Sequence, residues 1–291
     1  MGVTGWLGLG LAALVVLWLC RYPNGPKVYL YSVMRWVARR RALARVARWP
    51  CLCGPRLKVW YEPGTDPAMA QIVLRVAEEY LDPVARLLGG GLAGEKIPVV
   101  VYRERRSLGE GLGWSPEDNA MGLYWAGVVR ILSPSDWIGA DDPAQTEAVF
   151  RREGPVAHEL AHLLVDYRAR GNYPRWLTEG IAQQVERRLT GCRAPGFAGS
   201  FARWYALEAL DRDFDALPDQ DLAYHQSLLL ADFLAGSCGP EGLVPLLDAL
   251  GRGCTLAQAL RRVLGRSAAD LERFLVPKIA SYTLSFTKTP Y

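Results

Sequence analysis

The chain has 291 residues, 50% of them hydrophobic and 22% charged, with a formal net charge of +4. That balance fits a globular protein of one or two domains with a full core, and neither an internal repeat nor a low-complexity segment is present. Of six cysteines, one lies in an N-terminal apolar run, and the remaining odd number lacks the spacing of a disulfide framework.

The first predicted element is a membrane span. Val3 to Cys20 is apolar except for Thr4, about the minimum length of a bilayer-crossing helix. MGVTGWLGLG has neither the basic start nor the small-residue cleavage site of a signal peptide, so residues 1–21 read as an uncleaved anchor. Residues 22–54 follow as a basic amphipathic segment, in which Arg35, Arg39, Arg40, Arg41, Arg45 and Arg48 alternate with Trp36, Val37, Leu43, Val46 and Trp49. Directly after a span, such a helix suits anionic membrane lipid better than nucleic acid, with a solvated linker helix as the plainer alternative, and no nucleic-acid partner is expected. By the positive-inside rule the same arginines favour the cytoplasm for the rest of a single-pass protein, with the extracytoplasmic side as the alternative.

Residues 55–278 read as the globular domain and 279–291 as a tail. LKVWYEP reads as a short strand, and Asp66-Pro67 opens a helix through AMAQIVLRVAEEYLDPVARLLG, interrupted or kinked near Pro83. IPVVVYRE is a strand covered on both faces, because its apolar run is unbroken. Arg103 to Trp114 reads as loop. AMGLYWAGVVRIL reads as a small hairpin about Ala126-Gly127, with either strand able to form the sheet edge. Asp136 to Thr146 reads as a polar loop. After Glu186 the pattern is helical throughout. Strands early and helices late make an α+β fold, with a small N-terminal sheet and a mainly helical C-terminal half.

The chemistry lies in Gly154 to Glu186. Two of only three histidines, His158 and His162, stand four residues apart with Glu159 beside the first. On a helix opened by Gly154-Pro155, that spacing stacks both imidazoles on one face, where they reach a single Zn2+. Glu159 falls about 100° round the helix, placed to hold a water rather than the metal. A catalytic zinc needs a third protein ligand. Glu179 supplies it from a second helix opened by Pro174, with Trp176, Leu177, Ile181, Ala182 and Val185 as its apolar stripe and Arg168 to Tyr173 as the reversing turn.

HELAH followed by WLTEG resembles the gluzincin metallopeptidases, and most of all their bacterial peptidase MA-like group. The resemblance implies a thermolysin-like zincin domain that hydrolyses peptide bonds in peptide or protein substrates. It assigns His158, His162 and Glu179 to the metal and Glu159 to the base. It also implies an oxyanion donor at Tyr224, which otherwise packs its ring in the core. Gln183 stands where thermolysin-like members carry an acidic residue that orients a metal-bound histidine. The pattern that grips a substrate N-terminus in aminopeptidases is absent, since the upstream strand AMGLYWAG has no carboxylate, which favours an endopeptidase. His225 reads as a surface residue or one behind the ligands. A zinc-binding scaffold without turnover, and a zinc hydrolase of a non-peptide substrate, are the alternatives. Oligomeric state is not legible.

Overall fold

The computed structural model describes residues 14–90, 94, 96–109, 120–140, 142–191, 204–238, 242–267, 270 and 272–273. A helix over residues 14–21 (α1) and α2 (Gly25–Arg45) precede a five-stranded sheet formed by β1 (Cys51–Cys53), β2 (Leu57–Tyr61), β3 (Ile97–Tyr102), β4 (Gly122–Trp125) and β5 (Val128–Leu132). The strand order is β1-β2-β3-β5-β4, parallel at β2/β3 and β3/β5 and antiparallel at both edges. The fold is therefore mixed α+β, mostly helical around a small sheet.

Between β2 and β3 the chain crosses over through α3 (Pro67–Leu88), where the Asp66 side chain accepts from the Ala68 N–H; the interruption expected near Pro83 is absent, and one helix continues through it to Leu88. Beyond the short α4 (Arg105–Gly109) and α5 (Pro134–Trp137) come α6 (Pro143–Glu153), α7 (Val156–Ala169), α8 (Arg175–Thr190), α9 (Leu207–Asp213), α10 (Gln220–Ser237), α11 (Val244–Gly251) and α12 (Leu256–Leu264). The central element is α7, packed against α3, α8, α11 and the β4–β5 hairpin. One face of the sheet joins this core through Val59, Val99, Val101, Val129 and Ile131. The other face carries a smaller cluster in which Val100 and Val128 meet Val46, with Ala42 and Leu43 of α2 packed against it.

Several expectations need correction. Asp136 to Thr146 is not a loop throughout: α5 occupies its start, and α6 is opened by Asp142, whose carboxylate accepts from the Ala144 and Gln145 N–H groups. Asp142-Pro143 is the same helix signal as Asp66-Pro67. Arg103 to Trp114 contains α4, and residues 110–119 lie outside the described residues. Among the described residues no helix is long and apolar enough to cross a membrane. Of the span expected at Val3 to Cys20, residues up to 13 lie outside the described ones, and the remainder belongs to α1, whose apolar side chains are exposed.

The basic helix α2, expected to face lipid, also packs against the domain. Its Arg35 and Arg39 point into the domain: Arg35 pairs with Asp166 at 3.0 Å, and Arg39 donates to the Tyr167 hydroxyl and to the Lys96 carbonyl. The boundary expected after residue 54 falls between β1 and β2, which pair along their length. Of the cysteines read as small core residues, Cys254 is buried, Cys238 is half-buried and Cys192 lies outside the described residues. The expected tail at 279–291 also lies outside them.

Candidate metal centre

The site forms where α7 and α8 run side by side. Pro155 caps α7, which ends at Arg170 in the left-handed region; a short turn then leads to Pro174 and α8. The five apolar residues expected to form the stripe of α8 are all buried. Gly180, the residue after Glu179, is where α8 meets α10: a Cβ there would collide with the backbone of Ser227. The lack of a side chain lets the helices close up, which brings Tyr224, one turn before Ser227, towards Glu179.

The three predicted ligands converge. Nε2 of His158 and Nε2 of His162 lie 3.5 and 3.6 Å from the same oxygen of Glu179, Oε2. One ligand atom from each residue lies within 4.8 Å of the others, close enough to share one ion. Each imidazole is held from behind. Nδ1 of His158 is 3.1 Å from Glu186 Oε2, and Nδ1 of His162 is 2.6 Å from Thr178 Oγ1. With each Nδ1–H donating, the Nε2 lone pairs turn towards Glu179, as a metal site requires.

Charge in this cluster is finely opposed. Burial works against protonation of His158, yet Glu179 and Glu186 overcome it and hold its pKa well above the usual histidine range. Burial likewise opposes ionisation of Glu179, but His162, His158 and Arg175 draw its pKa well below the ordinary carboxylate range. Glu159 behaves differently: burial pushes its carboxyl upward, and neighbouring Glu179 adds to that against the pull of both histidines. The backbone N–H of Tyr124 donates to it, while its Oε2 is buried with no partner among the described residues. An unsatisfied carboxylate oxygen beside three convergent donor atoms fits a hydrated divalent cation, and a His2Glu set with one nearby carboxylate suits zinc.

Tyr224 also reaches the site. Its hydroxyl accepts from Arg175, whose guanidinium lies 3.1 Å from Glu179 Oε1, and its ring stacks edge-on against Phe214. Gln183 does not orient a histidine; its amide donates to the Tyr224 and Glu179 carbonyls. That orienting role falls to Glu186, with Thr178 behind the second imidazole. Sequence reasoning passed over Glu186, Thr178 and Arg175, although the first and last lie two turns after and one turn before Glu179, on its face of α8. His225 is half-buried and stands outside the ligand cluster.

Beside the centre, β4 is the outer strand of the sheet and β5 an inner one, which resolves which hairpin strand forms the edge. The turn between them has positive φ at both Ala126 (51°) and Gly127 (86°), the backbone of the tight hairpin turn. In the resulting register Gly122 and Tyr124 turn their backbone groups outward. That edge runs past Glu159, which the Tyr124 N–H meets.

No curated protein matches the chain. A family model described as Peptidase MA superfamily matches residues 125–277, from the hairpin through both helices of the centre. That match covers more than half of the sequence, and the chain belongs to the Peptidase MA superfamily, a group of gluzincin-like metallopeptidases.

Proposed function

We propose that the chain is a zinc-dependent endopeptidase tethered to a membrane by its N-terminal segment. The observation that carries the catalytic reading is the meeting of three ligand atoms within 4.8 Å beside the unpartnered, buried Oε2 of Glu159. His158, His162 and Glu179 hold the ion. A bound zinc supplies a Lewis acid for the scissile carbonyl and an acidified water.

The protein's own groups do the rest. Glu159 takes the proton of the attacking water at Oε2 and passes it to the departing amine, a task suited to a carboxyl whose burial has raised its pKa. Tyr224 donates its hydroxyl proton to the oxygen that gains charge; burial, followed by Glu179, raises its pKa and keeps that proton in place. The outward backbone groups of β4 other than the Tyr124 N–H, which Glu159 takes, pair with an extended substrate as an added strand, so the main chain is gripped whatever its side chains. With no carboxylate in Gly122–Trp125 to hold a free amine, internal bonds are the better substrate. Support for the tether comes from the exposed apolar side chains of α1 and from Tyr29, Leu30, Val33 and Met34 on α2.

Glu159→Gln tests the catalytic reading. The variant is expected to keep stoichiometric zinc while cleavage of casein falls by about 10²- to 10⁴-fold, the range of a general base. Wild-type turnover by the purified variant, or wild-type cleavage that persists after complete zinc removal, would reject it.

A further inference from the structure

A second site lies on the opposite face of the sheet, under α2. In β5, Val129 and Ile131 point into the main core, so Val128 and Arg130 point the other way. Arg130 stands between Val100 of β3 and Leu123 of β4 in register. It is only 7% exposed, and its Nε has no partner among the described residues. No carboxylate among those residues pairs with it. Arginine does not shed its charge on burial, so an uncompensated guanidinium in a row of apolar side chains calls for an anion.

Arg130 lines a groove of about 460 Å³ between the hairpin and α2. Arg41 and Arg45, one helical turn apart and also without ion pairs among the described residues, stand on its α2 side. Among the described residues no acidic side chain lines it. The remaining wall is apolar, led by Val33, Met34 and Trp125, which are 60%, 54% and 49% exposed. Val33 and Met34 also belong to the exposed stripe that begins at Tyr29 and Leu30.

We infer that this groove binds an anionic phospholipid: the headgroup phosphate sits among Arg41, Arg45 and Arg130, and an acyl chain lies along Val33, Met34 and Trp125. Three cations without a counter-ion choose the charge of the ligand. The apolar wall, continuous with the exposed stripe, chooses an amphiphile over a free anion and a bilayer lipid as its source. The site deepens the tethering part of the proposed function and does not depend on the peptidase reading. It would hold the β4 edge in a fixed relation to the membrane surface, because Trp125 closes both the groove and that strand.

The test uses the full chain in neutral detergent, with dioctanoyl-phosphatidylglycerol, dioctanoyl-phosphatidylcholine and inorganic phosphate as probes, read by native mass spectrometry and thermal melting. One phosphatidylglycerol should bind saturably and raise the melting temperature, with phosphatidylcholine and phosphate each about tenfold weaker or more. Arg41→Gln with Arg45→Gln, both on the exposed side of α2, should weaken phosphatidylglycerol by about tenfold or more at unchanged circular dichroism. Arg130→Met should raise the melting temperature of the lipid-free protein and abolish the lipid-induced rise. Equal responses to the two lipids, phosphate binding as tight as phosphatidylglycerol, or full binding by the double variant would each overturn the site. Partition of the same variants into phosphatidylcholine vesicles reads the tether separately: its loss would sink the anchor and leave the headgroup site standing.

Discussion

Helix α7 carries two buried polar clusters, four residues apart, that are built on opposite plans. At its N-terminal half, His158, Glu159 and His162 face Glu179 with donor atoms converging on one another and one carboxylate oxygen unpaired. At its C-terminal half, Asp166 is fully buried and takes hydrogen bonds from Tyr31 (2.6 Å), Tyr124 (2.5 Å) and Tyr173 (3.1 Å), and an ion pair from Arg35. Burial, then the charge of Asp166, raises the pKa of all three phenols, so they stay protonated and act as donors. A closed network of this kind fixes a structure; an open one waits for a ligand. Tyr124 joins the two, its hydroxyl on Asp166 and its backbone N–H on Glu159.

The largest contrast is expected from one substitution at each end. Glu159→Gln removes turnover, yet the melting temperature of the metal-free protein should stay level or rise. The sign follows from the raised pKa: a carboxyl that folding makes harder to ionise costs stability above its unfolded pKa, near 4.3, and returns it as pH falls through the folded value. Gln carries no such charge. Asp166→Ala should do the reverse, costing roughly 3–5 kcal/mol by stranding Arg35 and three hydroxyls, as read by urea unfolding of the metal-free protein. A large loss from Glu159→Gln, or a negligible one from Asp166→Ala, would erase the distinction.

Tyr224→Phe comes next. It deletes the hydroxyl but keeps the ring on Phe214, so the fold is preserved while turnover on casein should drop by about 10²- to 10³-fold with little change in KM. Unchanged turnover would return Tyr224 to the core. Glu186→Gln is expected to act more gently, since an amide oxygen still accepts from His158 Nδ1–H but without charge. Zinc affinity, measured by competition with a chromogenic chelator, should weaken about 10- to 100-fold.

These residues differ in how visibly the sequence announced them. His158, His162 and Glu159 are fixed by helical periodicity within five residues, and Glu179 is returned to them by one short turn, so local rules sufficed. Glu186 and Arg175 share a face with Glu179 and were within reach of the same argument, had it been extended along α8. The Asp166 cluster was not. Tyr31 and Arg35 stand 135 and 131 residues from Asp166, in a helix whose arginines suggested only a solvent or lipid surface. Composition cannot separate an arginine that faces lipid from one that crosses into the domain to meet a carboxylate; that choice is made by tertiary packing. The sheet shows the same divide. The alternating and unbroken apolar runs marked β2, β3 and the hairpin, whereas β1, a three-residue edge around Cys51 and Cys53, has no pattern long enough to read.

The smallest effect comes from thinning the closed cluster without opening it. Tyr173 makes the longest of the three phenol hydrogen bonds to Asp166, and it shares Oδ1 with the shorter one from Tyr31. Tyr173→Phe therefore removes one donor from an oxygen that keeps another, and no charge is left stranded. A loss of about 1 kcal/mol is expected from urea unfolding, with casein turnover at the wild-type level. The two clusters should thus respond differently to being pared down. Around Asp166, stability should decline in steps with each donor removed and activity should persist. Around Glu159, activity should vanish in one step while stability holds. If Tyr173→Phe instead lowered turnover in proportion to the stability it lost, Tyr124 would be transmitting the state of one cluster to the other, and they would have to be treated as a single unit.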